Sequence, residues 1–390
     1  MRIFMNTFFN SLTVLRNLKD NKLIRAVAEY AVYDSAENFN DLLYEVYAAG
    51  AENNLLSAVQ SAILHDENAF SLCCAKGEKP SDYLKKAYLS DLKSILSAVL
   101  KLKNESGFNF DKPLPVFNCA EQKLVDNLEK FYAKKGYGQF IDGKAFSYTE
   151  GGFLPLDGTA DTTLSQLKNY ENEKALIEAN VKNFVENLPY SHMLLYGDRG
   201  TGKSSTVHAM LNAYCDRGLR LVELDKNDLT SIKKIKRQLA TLPLKFIIFI
   251  DDLTFAGQDE KVSSLKSAVE GTVVDCENVM IVATSNRRHV IKESISDREN
   301  AVHPSDNIEE ELSLSDRFGL TVMFSSTDKA GYLSIVKQLA DDLSLTTPRK
   351  QLEELAERWA IMNGGRSPRR AKQFADFIYA CEKSGRPVEF

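Results

Sequence analysis

The sequence predicts an α/β core built on a central parallel five-stranded sheet, with a separate, mainly α-helical N-terminal domain before it and a helical lid after it. Three patterns carry that prediction. Short apolar runs at residues 192–196, 219–224, 246–250, 279–283 and 320–324 have the length of strands, and each of the first four is followed by a segment of helical periodicity. Such alternation is the mark of parallel strands joined by crossover helices. From Ser11 to about Leu102, apolar residues recur every three or four positions instead, as in Leu42, Leu43, Val46 and Tyr47, then Leu55, Leu56, Val59 and Leu64. That spacing lines one face of a helix. Helical periodicity returns over residues 328–381.

A chain of 390 residues has room for two or three domains. The prolines of Pro113-Leu114-Pro115 interrupt the first helical region, a further helical stretch follows at 121–132, and glycines at 136, 138, 143, 151, 152 and 158 mark short strands or an ordered linker. The expected division is therefore 1–150 for the helical domain, 151–190 for a linker and first core helix, 191–325 for the α/β core and 326–390 for the lid. A formal net charge of -5 argues against a generally basic surface that coats nucleic acid, and leaves only a local patch for that purpose. Six cysteines show no pair at the two-residue spacing of a zinc site, and read as free thiols of a reducing cytosol. No apolar run approaches the ~20 residues that span a bilayer, and no cleavage pattern follows the first residues. The expected location is the cytoplasm, with no membrane partner.

The sharpest local signal is Gly197-Asp198-Arg199-Gly200-Thr201-Gly202-Lys203-Ser204, which fits G-x-x-x-x-G-K-[ST] without a mismatch. Glycines allow a backbone nest whose N–H groups face phosphate oxygens, and the helix that follows, from Ser205 onward, presents its positive end to the same anion. Lys203 is placed to reach the β and γ phosphates of ATP, and the Ser204 hydroxyl to ligate magnesium. The apolar run before the loop and the helical segment after it are the context this loop requires. A phosphate loop also needs a carboxylate across the site. Phe246-Ile247-Ile248-Phe249-Ile250-Asp251-Asp252 is an apolar strand ending in two acids. Asp251 is the natural magnesium partner. Asp252 stands where a glutamate commonly activates water, and its carboxylate falls about 1.5 Å short of a glutamate's, which bears on the rate of hydrolysis and not on binding.

With these residues in place, the order of motifs resembles that of the AAA+ ATPases. Phosphate loop and acidic strand end are followed by Ala283-Thr284-Ser285-Asn286, by Ser315-Asp316-Arg317-Phe318 and by Ser367-Pro368-Arg369, over roughly residue 166 to the C-terminus. The stretches at 283–289 and 312–320 further resemble a bacterial family of ATP-binding proteins known as domain of unknown function 815. The resemblance implies a P-loop NTPase fold, ATP and Mg2+ as ligands, and ATP hydrolysis. It implies that Asn286 helps place the attacking water, that Arg317 reaches the nucleotide of a neighbouring subunit in a homo-oligomer, and that Arg369 is the lid arginine at the γ-phosphate. Arg366 and Arg370 lie in the same stretch and compete for that last role. Tyr170 stands near where such proteins cradle adenine.

Two features shape the functional expectation. The position after the second strand reads Leu224-Asp225-Lys226-Asn227-Asp228, without the aromatic residue of a protein-threading loop, so threading is disfavoured. Lys233, Lys234, Lys236 and Arg237 form a compact basic run that suits either a solvated helix face or phosphate backbone. The leading expectation is an ATPase that couples ATP binding and slow hydrolysis to the binding or remodelling of a protein partner by its N-terminal domain. The alternatives are a nucleotide-gated binding module with little hydrolysis and a nucleic-acid or helicase loader.

Overall fold

The computed structural model describes residues 8–51, 54–104, 110, 112–158, 161–253, 260–270, 276–286 and 315–388. The polar, acidic stretch at 293–311, whose composition reads as a surface loop, lies outside the described residues, as do Arg287, Arg288 and His289. The chain divides into two compact units, residues 1–143 with 241–244, and residues 144–240 with 245–390.

The first unit is helical. Its helices are α1 (Lys22–Val32), α2 (Ala36–Ala48), α3 (Leu55–His65), α4 (Ala69–Ala75), α5 (Asp82–Lys101) and α6 (Glu121–Lys135). Polar residues set the start of several of them: the side chains of Asn21, Ser35, Asn54, Asn68 and Ser81 each accept a backbone N–H of the first turn, contacts worth about 1 kcal/mol apiece. The core contains Leu42, Val46, Val59, Ile63, Leu92 and Leu128, all fully buried, with Phe70 stacked on Tyr88 at 4.1 Å. Asp91 is buried, yet its carboxylate accepts the N–H groups of Thr13, Val14 and Leu15, so the charge is fully partnered.

The second unit is built on a sheet of seven strands in the order β2-β1-β4-β5-β6-β3-β7. The strands are β1 (Ala145–Thr149), β2 (Gly152–Pro155), β3 (Met193–Gly197), β4 (Leu219–Glu223), β5 (Lys245–Ile250), β6 (Val279–Ser285) and β7 (Leu320–Phe324). The five expected strands are present and mutually parallel. The count of five is corrected by a hairpin from the glycine-rich stretch: β1 pairs parallel to β4 through Phe146 and Val222, and β2 folds back antiparallel on β1. The alternation of Ala145, Phe146 and Tyr148, all buried, with half-buried Ser147 suits a strand that covers the open edge of β4. The hairpin lies on both sides of the expected 150/151 boundary. Strand β3 sits between β6 and β7 although it precedes both in the chain. That crossing places the ends of β3, β5 and β6 on one rim, where ligands of open α/β sheets bind.

Helices α7 (Glu171–Val185), α8 (Lys203–Tyr214), α9 (Ile232–Leu239) and α10 (Glu260–Val269) accompany the sheet. The basic run falls on α9 and is smaller than the sequence suggested. Lys236 is buried and donates to the Ala268 carbonyl, leaving Lys233, Lys234 and Arg237 exposed. The lid is a helical triplet, α11 (Lys329–Asp342), α12 (Arg349–Met362) and α13 (Pro368–Ser384), packed through Tyr332, Ile335, Leu352, Ala356, Phe374 and Ile378. No described helix is long and apolar enough to cross a membrane.

Glu382, on α13, ties the lid together by accepting the Thr347 hydroxyl at 2.6 Å and the N–H groups of Thr346 and Thr347. Partial burial pushes its pKa up, but these bonds outweigh burial and hold it at about 2. The contribution is complete above the ordinary carboxyl range and is lost as the pH falls through about 2. Glu382→Ala is therefore expected to lower stability by about 1–2 kcal/mol at pH 7. The gap from the parent chain should close as the pH falls from about 5 toward 2, read from urea unfolding of the pair.

Candidate nucleotide-binding site

The loop between β3 and α8 is shaped by three glycines in the left-handed region, Gly197 at φ +127°, Gly200 at +76° and Gly202 at +101°. At Gly197 the requirement is absolute in space as well as torsion. A β-carbon there would lie 2.1 Å from the Phe324 carbonyl oxygen at the end of β7, which also accepts the Asp198 N–H. Thr201 closes the loop on itself by donating its hydroxyl to the Asp198 carbonyl at 2.9 Å. Gly202 caps α8, so Lys203 and Ser204 open the helix and Ser205 follows them.

Lys203 is buried, and its ammonium donates to the carbonyls of Gly197 at 2.9 Å and Asp198 at 2.8 Å and to Asn286 Oδ1 at 3.1 Å. Burial lowers its pKa to about 8; Asp198, Asp251 and Asp252 oppose that shift and Arg369 adds to it. An ammonium so placed gains strongly from a phosphate anion. The Ser204 hydroxyl donates to Asp251 Oδ1 at 2.7 Å, and the Thr284 hydroxyl donates to the same oxygen at 2.5 Å. The Asp252 N–H donates in turn to Thr284 Oγ1 at 2.9 Å, and Asn286 Nδ2 donates to Asp252 Oδ1 at 2.6 Å. Asp252 adopts φ +50°, a conformation uncommon outside glycine. The ends of β3, β5 and β6 are thus joined in one network that contains Lys203, Ser204, Asp251, Asp252 and Asn286. Thr284, quoted in the sequence motif but given no role there, is the hinge between the two aspartates. Ser204 and Asp251 offer hard oxygen donors side by side, a pair that fits magnesium, which takes few protein ligands and fills its shell with water and phosphate.

Two cavities flank the loop. A smaller one, of about 250 Å³, lies between residues 166–170, Gly200–Gly202, Ser205 and Thr206 on the core and Ile335, Leu339, Pro368 and Arg369 on the lid. Tyr170 lines it. The ring packs against Phe324 at 5.1 Å, and the hydroxyl donates to the Ser325 carbonyl at 2.6 Å, which fixes the residue as a wall of the cavity. A larger cavity, of about 680 Å³, is lined by Asp198, Arg199, Gly200, Asn286, Ser326 and Thr327 and by the lid residues Gly364–Arg370 except Pro368.

The structure separates the lid arginines. Arg366 makes two hydrogen bonds to Glu357, and Arg370 donates to Gln373. Arg369 lies against the loop, its N–H donating to the Gly200 carbonyl at 3.1 Å, and lines both cavities. Ser367 caps α13 and Pro368 starts it, which sets the direction of Arg369. Arg317 is not brought to this site. Its Nε pairs with Glu270 Oε1 at 2.5 Å, just beyond α10.

A phosphate loop, an acid-ended β5 and a polar β6 end meet at one rim of a parallel sheet with the strand order β4-β5-β6-β3-β7, the arrangement of a P-loop α/β fold. The chain belongs to the family described as protein of unknown function (DUF815), whose model matches residues 142–382. No curated protein matches it. Among solved structures, it is similar to the RuvB Holliday junction branch migration motor of Thermotoga maritima, at 17% identity and a TM-score of 0.40 over 58% of this chain and 67% of that one. It is also similar to AMPPCP-bound DnaA from Aquifex aeolicus, at 18% identity and a TM-score of 0.39 over 58% and 66%.

Gly197→Ala is expected to distort the loop, with strain of about 1–3 kcal/mol from torsion alone and loss of nucleotide binding. A thermal shift measured with and without ATP checks both.

Proposed function

We propose that the protein binds ATP with magnesium at Gly197–Ser204 and hydrolyses it slowly, coupling the cycle to the binding or remodelling of a partner by the helical unit. The observation that carries this reading is the single network joining Lys203, Asn286, Asp252, Asp251 and Ser204 at the rim of the sheet. In it, Lys203 exchanges the carbonyls of its own loop for β and γ phosphate oxygens, and the loop N–H groups hold the rest of the chain of phosphates. Ser204 and Asp251 would hold magnesium, which supplies positive charge to those phosphates. Asp252 takes a proton from water aimed at the γ-phosphate, with Asn286 positioning both, and Arg369 closes the lid arm on the nucleotide. Arg317 is offered to the nucleotide of a neighbouring subunit once Glu270 releases it, which makes the assembled form a homo-oligomer.

A second reading, a nucleotide-gated binding module with little turnover, is favoured by the hold on Asp252, whose side chain already accepts from Asn286 and whose N–H is fixed by Thr284. Steady-state phosphate release separates the two. The exposed cations of α9 are three, in a chain of net negative charge, and give the nucleic-acid loader less support than the run of four promised.

Lys203→Ala is expected to weaken ATP binding by about a hundredfold or more, measured by titration calorimetry; unchanged affinity would sink the reading. Asp252→Asn should retain ATP affinity while single-turnover hydrolysis slows by about a hundredfold.

A further inference from the structure

We propose that Arg199, inside the phosphate loop, is a catalytic residue that contacts the γ-phosphate, so that the chain supplies its own transition-state arginine. This rests on the ATPase reading above.

Position is the first argument. Arg199 stands between Gly197 and Gly200, both in the left-handed region, so the loop path that carries it is set by backbone torsions that few other residues adopt. The Lys203 ammonium, which is to meet the β and γ phosphates, rests 2.8 Å from the Asp198 carbonyl, one peptide bond from Arg199. Asn286 Oδ1 lies 3.1 Å from the same ammonium. Arg199 and Asn286 line the same cavity of about 680 Å³, together with Arg369.

Availability is the second. Two lid arginines that line the same cavity have partners, Arg366 on Glu357 and Arg370 on Gln373. The exposed side chain of Arg199 makes no hydrogen bond or ion pair among the described residues. Charge is the third. Lys203 is surrounded by three carboxylates, Asp198, Asp251 and Asp252, against one arginine, Arg369. Arg199 brings the protein charges at the phosphates to balance.

In the reaction, a water oxygen forms a bond to the γ-phosphorus as the bond from that phosphorus to the bridging oxygen breaks. The electron pair stays on the ADP oxygen, and the proton of water passes to Asp252 and then to solvent. Arg199 neutralises the γ-phosphate oxygens, a task for which a planar guanidinium is suited.

The test uses the full chain as the parent and as Arg199→Ala and Arg199→Lys, with ATP and ADP affinities and single-turnover hydrolysis measured for each. Arg199→Ala should slow hydrolysis by about a hundredfold and weaken ATP while leaving ADP affinity within about twofold of the parent, since ADP lacks the phosphate concerned. Arg199→Lys should recover part of the loss. Hydrolysis unchanged in Arg199→Ala, or ATP and ADP affinity falling together, would overturn the role. A parent chain that binds neither nucleotide would instead overturn the ATPase reading itself.

Discussion

At the point where β3 runs beside the end of β7, the backbone of Gly197 comes so close to the Phe324 carbonyl that no side chain fits between them. The loop begins from that contact. It turns the chain at φ +127°, delivers the Asp198 N–H to the Phe324 oxygen and aims the following residues at the first turn of α8. The position of Lys203 follows, because its ammonium is anchored on the two carbonyls that the turn exposes. The parallel order of the sheet matters for the same reason. With β6 on one side of β3 and β7 on the other, Asn286 and Phe324 flank the loop directly, while Asp251 and Asp252 approach from β5 one strand further out.

The polar groups of the site partner one another. Lys203 has loop carbonyls and Asn286, Ser204 has Asp251, and Asp252 has Asn286. A phosphate at the loop would exchange one set of hydrogen bonds for another, and its gain would come from the charge of Lys203. A buried ammonium with a pKa lowered to about 8 is poorly solvated by carbonyl oxygens and well solvated by phosphate.

Much of this was legible in the residues. The glycine spacing of 197–202, the acids after 246–250 and the Asn286 strand end are read by local rules, because a nest, a strand terminus and a helix start each need particular residue types. The helical first unit and the lid were legible as three- and four-residue periodicity. What escaped depended on pairing across long sequence separations. The hairpin of β1 and β2 was hidden in a glycine-rich stretch with short apolar content, and only the open edge of β4 gives it a place. Thr284 looked like a neutral strand residue until β5 and β6 were side by side. Lys236 counted as part of a basic run, although its helix phase turns it toward the Ala268 carbonyl. Arg317 was placed by motif order, and its partner Glu270, 47 positions away, could not be foreseen from spacing.

The division of the chain between its two units is not a single cut. Residues 241–244, the short connection that leads from α9 into β5, belong with the helical unit, where Leu242 and Leu244 are buried and pack beside Gly136. The backbone therefore passes between units at three places, not one, and removal of residues 1–143 would strip two leucines of their cover. It also means that the strand ending in Asp251 and Asp252 starts from an anchor outside its own domain.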